Sequence, residues 1–210
     1  MSDKEPSKYR LSKFYIIKSF TEEDVHKAIK YGIWSSTAKG NQILDAAWQE
    51  CEREATEHLG EDADVYLFFS VNGSKHFCGV AKMKSKVNHE KQHNELWKQA
   101  GKWPGSIQLE WLHIKDIPNT QFIHIENPLN DNKPACQGRD CQELFWKVGE
   151  RMLFIFANYR ATTRLYDDFK FYDEQEKFRI LKFQTLGKTN QGQPNHQQKA
   201  HRTGPKKHFP

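Results

Sequence analysis

Trp34, Trp97 and Trp103 are the residues of this chain best suited to chemistry, because each is a large ring outside any periodic apolar pattern. Trp34 follows the helix-weakening Gly32, and the other two lie in the polar stretch 84–105. Rings so placed either lid a core or wall a pocket that stacks a flat ligand such as a nucleic-acid base. Trp48, Trp111 and Trp146, by contrast, fall within regular patterns and read as packing. A second pattern is His89-Glu90-Lys91-Gln92-His93, which spells H-E-x-x-H. On a helix that spacing sets two zinc ligands on one face with the glutamate as general base of a hydrolase. Here the flanks Lys86, Asn88 and Asn94 are polar, Leu96 stands where one protease class needs Gly, and no third ligand is apparent. The segment is therefore expected to be a solvated loop, with no metal, no cofactor and no enzyme activity.

Bringing the three rings together needs both kinds of regular element. Residues 14–19, FYIIKS, are rich in β-formers and predict a strand. Thr21 then offers an N-cap, Asp24 can reach back to the cap, and Glu22 and Glu23 suit the positive end of a helix. Val25, Ile29 and Ile33 continue at fourfold spacing up to Trp34. Leu44, Ala47, Trp48, Cys51 and Ala55 predict a second helix over 41–59, with Gly60 as its stop. Residues 64–71 and 76–83 flank Asn72-Gly73-Ser74 and predict a hairpin. Residues 107–114 predict a further strand with Ile107, Leu109 and Trp111 on one face. After the short run 122–125 and a loop holding Pro128, Pro134 and Gly138, the spacing of Leu144, Phe145, Val148, Met152, Ile155, Phe156 and Tyr159 predicts a core helix. Interleaved strands and helices make the fold class mixed α/β (α+β), while periodicity leaves the sheet order open.

At 210 residues the chain fits one domain with flanks: a short N-terminal flank at 1–8, a domain over 9–181, and a basic tail over 182–210 expected to be disordered. The formal charge of +5 is misleading, because six Lys and Arg and no acid fall in that tail, leaving the domain close to neutral. A polyanionic partner must then be held by rings and local cations rather than by a broad positive face. Four scattered cysteines without a C-x-x-C pair argue against a zinc ribbon or a disulfide scaffold. No apolar run reaches the roughly 18 to 20 residues of a membrane span, so no membrane partner is expected.

The succession FYIIKSFTEEDVHKAIKYGIWSST, LDAAW, VYLFFSVNGSKHFCGVAKM, a loop with W and KWPG, EWLHIKDIPN, NKP and GRD resembles the YTH domain over about residues 9–171. Within that family it is most similar to the cytoplasmic type, which shares the SVNGSxHFCGVA hairpin. The resemblance implies an open β-barrel-like sheet packed by helices, a monomer, cytoplasmic residence, and binding of single-stranded RNA containing N6-methyladenosine. It further implies that Trp34, Trp97 and Trp103 form an aromatic cage around the methylated base. Asp24 would meet the adenine edge, the main-chain carbonyl of Ser35 would accept the methylated amine's remaining N–H, and Asn72 and Phe20 would line the pocket. Lys13, Lys18 and Arg139 match positions that contact the RNA backbone. Four features depart from the pattern: Ser35 stands for a frequent Cys, Phe20 for a frequent Tyr and Ile43 for a phosphate-facing Arg, and the spacing from Trp97 to Trp103 is one residue longer. Some relatives bind unmodified RNA through another surface, which leaves a second use of the same fold open.

Overall fold

Successive residues of the FYIIKS run feed two separate cores, which is why the segment is apolar throughout rather than at every second position. The computed structural model describes residues 7–59, 62–99 and 101–189, with side chains up to residue 181. In chain order the elements are β1 (Lys13–Ser19), α1 (Glu22–Tyr31), β2 (Ile33–Trp34), α2 (Ala38–Glu57), β3 (Val65–Val71), β4 (His76–Met83), β5 (Ile107–Pro118), the two-residue strands β6 (Glu126–Asn127) and β7 (Lys133–Pro134), β8 (Gln142–Leu144), α3 (Trp146–Asn158) and α4 (Phe169–Thr189). The six-stranded sheet has the order β2-β5-β4-β3-β1-β8, with β1 parallel to β3 and every other pair of neighbours antiparallel. It curls into an open half-barrel, and register shifts between Phe77 and Gly79 and between Val80 and Ala81 bend β4 against β5. β6 and β7 pair with each other in a separate two-stranded sheet.

Phe14 and Ile16 of β1 join Phe68, Phe77, Val148, Met152 and Phe156 in one core, whereas Tyr15 and Ile17 join Val25, Leu44, Leu67, Phe69 and Trp34 in the other. Every residue of β3 is buried. Gly149 of α3 sits directly on the Phe14 ring, where a Cβ would collide with it, so a glycine is needed for the helix to lie this close to β1. The second core, with α1 and α2, carries Trp34, Trp97 and Trp103.

Several expected boundaries move, each for a local reason. Leu144, read as the first residue of the core helix, instead pairs with Phe14 in β8, and the helix starts at Trp146. α2 begins at Ala38 because the Thr37 side chain accepts from the Gly40 N–H at 3.0 Å, and it ends at Glu57; Gly60 lies outside the described residues. Thr21 is the N-cap of α1 as expected, and Asp24 reaches back to it through the Thr21 hydroxyl rather than its N–H, which donates to Ser19 Oγ at 3.3 Å. Two compact units are distinguished, Met1–Tyr172 and Asp173–Pro210. All the strands and α1 to α3 belong to the first. α4 runs to Thr189, past the expected domain end at 181, since an α-helix satisfies its main-chain bonds without burial. The rest of the expected tail, 190–210, and residues 1–6 of the N-terminal flank lie outside the described residues.

Candidate nucleic-acid interface

Trp34 is fixed first, by pairing in β2: it sits opposite Ile107 at the start of β5, and its indole is buried edge-on to Phe69 at 5.1 Å. Trp97 meets the Trp34 ring at 5.7 Å and 71°. Its place in the β4–β5 loop is set from α1, where Asp24 Oδ1 accepts from the Lys98 N–H at 2.9 Å and Glu23 lies 3.9 Å from Lys98 Nζ. The other oxygen of Asp24 accepts from Thr21 Oγ1 at 2.8 Å, so one carboxylate ties the helix cap to the loop. Trp103 is set from the opposite side. Asn41, in the first turn of α2, accepts from the Ser36 N–H at 3.1 Å and donates to the Pro104 carbonyl, and Ser35 Oγ donates to the Gly105 carbonyl at 2.6 Å. Gly105 takes a positive φ of 74°, a backbone shape that L side chains rarely adopt.

These elements enclose a cleft of about 320 Å³, mouth included, lined by Phe20, Asp24, Trp34, Ser35, Trp97 and Trp103, with Lys18, Ser19, Ser36 and Asp140 completing it. All three tryptophans are nine-tenths buried in the second core, and all three also line this cleft. The indole N–H groups of Trp34 and Trp97 are buried and meet no acceptor among the described residues. The main-chain carbonyl of Ser35 likewise meets no donor among them. A buried unpaired polar group costs about 1 to 3 kcal/mol, so the site favours an occupant that offers both donors and acceptors.

Two charges stand at the rim. Lys18 Nζ lies over the Phe77 ring at 5.5 Å and donates to Ser70 Oγ at 3.3 Å, and removal from water lowers its pKa from the usual range. The Lys18 N–H donates to Asp140 Oδ1 at 2.8 Å. Crowding of the Asp140 carboxyl pushes its pKa above the ordinary value, although the hydrogen bonds from Lys18 and Cys141 pull against this.

Of the remaining sequence-derived residues, three do not line the cleft. Asn72 is exposed at the hairpin turn, joined to the site only through its N–H, which donates to the Ser19 carbonyl at 2.9 Å. Arg139 is exposed beside Asp140. Lys13 stands at the far end of β1, where Glu50 at 2.7 Å and Glu143 at 3.6 Å neutralise it. Sequence reading missed Ser19, Ser36 and Asp140. Ser36 is the neighbour of a named residue, and Asp140 belongs to the GRD triplet whose arginine was chosen, so adjacency was the available signal.

The H-E-x-x-H segment forms turns rather than a helix, with His89 exposed near Asp45 and His93 3.5 Å from Glu95. Among the described residues, the one group of three that could hold a metal is Glu54, Glu57 and His58, and it includes neither histidine. A larger open groove of about 1160 Å³, lined by residues that include Lys115, Arg160 and Arg164, has no stacked rings and offers no place to sandwich a base.

Comparison with known proteins places this geometry. The family model described as a YT521-B-like domain matches residues 12–157. YTH domain-containing protein ECT4 of Arabidopsis thaliana is 44% identical over 172 residues, 82% of this chain and 27% of that protein. YTH domain-containing family protein 2 of Homo sapiens is 43% identical over 163 residues, 78% of this chain and 26% of its own length. The chain thus spans about a quarter of the curated relatives that it matches. Among solved structures, the YTH domain of Zygosaccharomyces rouxii MRB1, in complex with N6-methyladenosine RNA, superposes with a TM-score of 0.60 at 33% identity, covering 72% of this chain and 90% of that one. The Pho92 YTH domain, in complex with m6A, gives 0.63 at 31% identity, covering 74% and 91%. No helix among the described residues is long and apolar enough to cross a membrane. The family match, the identity to these relatives and the structural likeness agree, and the chain belongs to the YTH domain family.

Proposed function

We propose that this chain reads N6-methyladenosine in single-stranded RNA, taking the methylated base into the cleft between Trp34, Trp97 and Trp103. The observation that carries the reading is the convergence of those three buried indoles with Asp24 and Ser35 on one small cleft. Stacking on the rings contributes roughly 1 to 3 kcal/mol per base and serves any base, so it supplies affinity without selectivity. Selectivity comes from the methyl group. Its burial contributes about 0.8 kcal/mol by area, and filling what would otherwise be a void adds to that, so discrimination of tenfold or more is expected. The unpaired Ser35 carbonyl accepts the remaining N–H of the methylated amine, and Asp24 faces the ring edge.

Lys18 at the rim and Arg139 beside it meet phosphates, which position the strand without reading sequence. Asn72 contributes from the hairpin turn if the rim closes toward it on binding. Lys13, already held by two glutamates, is left out of the proposed interface. The domain works by binding rather than by catalysis, and the hairpin shared with cytoplasmic-type readers supports cytoplasmic residence. Titration calorimetry with matched methylated and unmodified short RNAs tests the reading. The wild-type protein should prefer the methylated strand at least tenfold. Trp34→Ala, shown to be folded by circular dichroism, should lose the preference, and equal binding of the two strands by the wild type would refute the reading.

A further inference from the structure

The three walls of the cleft are not equally held. Trp34 is fixed by strand pairing and by Phe69, and the Trp97 segment is latched to α1 through Asp24. The Trp103 segment is tied to α2 and to Ser35, next to β2, through the Pro104 and Gly105 carbonyls, but its ring leans at 5.6 Å and 44° on Phe20, which is itself 53% exposed. Its segment lies between Gly101 and Gly105, both at positive φ. Over this pair of rings stands Lys102, its Nζ 4.6 Å from the Phe20 centroid and 5.2 Å from that of Trp103. No carboxylate lies within ion-pair distance of Lys102 among the described residues, so its charge is directed at the two rings.

Resting on the reading of the cleft given above, we propose that Lys102 is a positioning residue of the cage. Its ammonium bridges the faces of Phe20 and Trp103 and sets how closely the Trp103 wall stands against the methylated base. The attraction between a cation and a ring quadrupole is strong enough to bias the tilt of a ring whose outer neighbour, Phe20, is exposed. Selectivity is the property most exposed to such a bias. A gap of about 0.5 to 1 Å between the methyl and a ring forfeits a quarter to a half of their contact, whereas stacking on the other two rings is unaffected.

A free nucleoside separates this role from an ordinary phosphate contact, because it has no phosphate. Binding of N6-methyladenosine and adenosine would be measured by NMR titration for the wild type, Lys102→Gln and Lys102→Arg, together with the corresponding short RNAs. The expected result is that Lys102→Gln weakens binding of the methylated nucleoside about three- to tenfold, binds adenosine nearly unchanged, and melts at the wild-type temperature. Lys102→Arg, which keeps the cation over the rings, should recover most of the loss. The proposal is overturned if Lys102→Gln weakens RNA but not nucleoside, if it changes neither, or if arginine fails to restore what glutamine loses. A wild-type protein that does not prefer the methylated nucleoside would overturn the reading of the cleft itself, and this proposal with it.

Discussion

Asp140 shows how much of the site depends on single side chains that no local pattern announces. Asp140 lines the cleft, its carboxyl accepts the Lys18 N–H at 2.8 Å, and although the residue is exposed at the rim, the protein around the carboxyl desolvates it enough to raise its pKa. Ionised at neutral pH, it opposes a phosphate approaching Lys18. Asp140→Asn keeps the acceptor for that N–H and removes the charge, so it should bind methylated RNA several-fold more tightly at pH 7. The advantage should shrink as pH falls, since the wild-type carboxyl takes up a proton at a higher pH than an ordinary aspartate and becomes neutral too. Fluorescence anisotropy from pH 7 to pH 4.5 checks this, and a pH-independent gap would contradict it. The tryptophans were legible in the sequence because each stands outside the periodic apolar runs, and the resemblance to the YTH domain grouped them. Asp140 and Ser36 were not, because the chain brings Asp140 to Lys18 across 122 positions, and spacing says nothing over such a distance.

At the scale of elements, the ring-lined cleft is positioned by two helix beginnings and a two-residue strand. The first turn of α1 holds the Trp97 side through Asp24, and the first turn of α2 holds the Trp103 side through Asn41. Asn41 is buried and bonds both the Ser36 N–H and the Pro104 carbonyl. Asn41→Ala leaves both groups unpaired and should destabilise the fold by roughly 2 kcal/mol. It should also weaken binding of methylated RNA at temperatures where the variant is fully folded. Denaturant unfolding and calorimetry together decide the point, and a loss of stability with unchanged affinity would show that Asn41 does not position the cage. The helices, the hairpin and the long strands were readable because they exceed one period of their pattern. β6, β7 and β8 span two or three residues each and carry no period, which is why Leu144 was assigned to a helix. The parallel pairing of β1 with β3 was equally hidden, since alternation fixes the faces of a strand but not its neighbours.

Across the whole molecule, a nearly neutral domain places its specificity in a concave, ring-lined site and leaves charge to the rim. That division suits a partner whose backbone is the same everywhere and whose information lies in one modified base. The two cores divide the work: the one packed by α3 braces β1 and β3 from behind, and the one packed by α1 and α2 carries the three indoles forward to the cleft. The most direct measurement is an isotope-filtered NOE experiment on the complex with RNA labelled with ¹³C only in the N6-methyl group. Contacts from that methyl to indole protons of Trp34, Trp97 and Trp103 together are predicted. A methyl signal that stays at its free-RNA position, with no indole contact under saturating protein, would contradict the account.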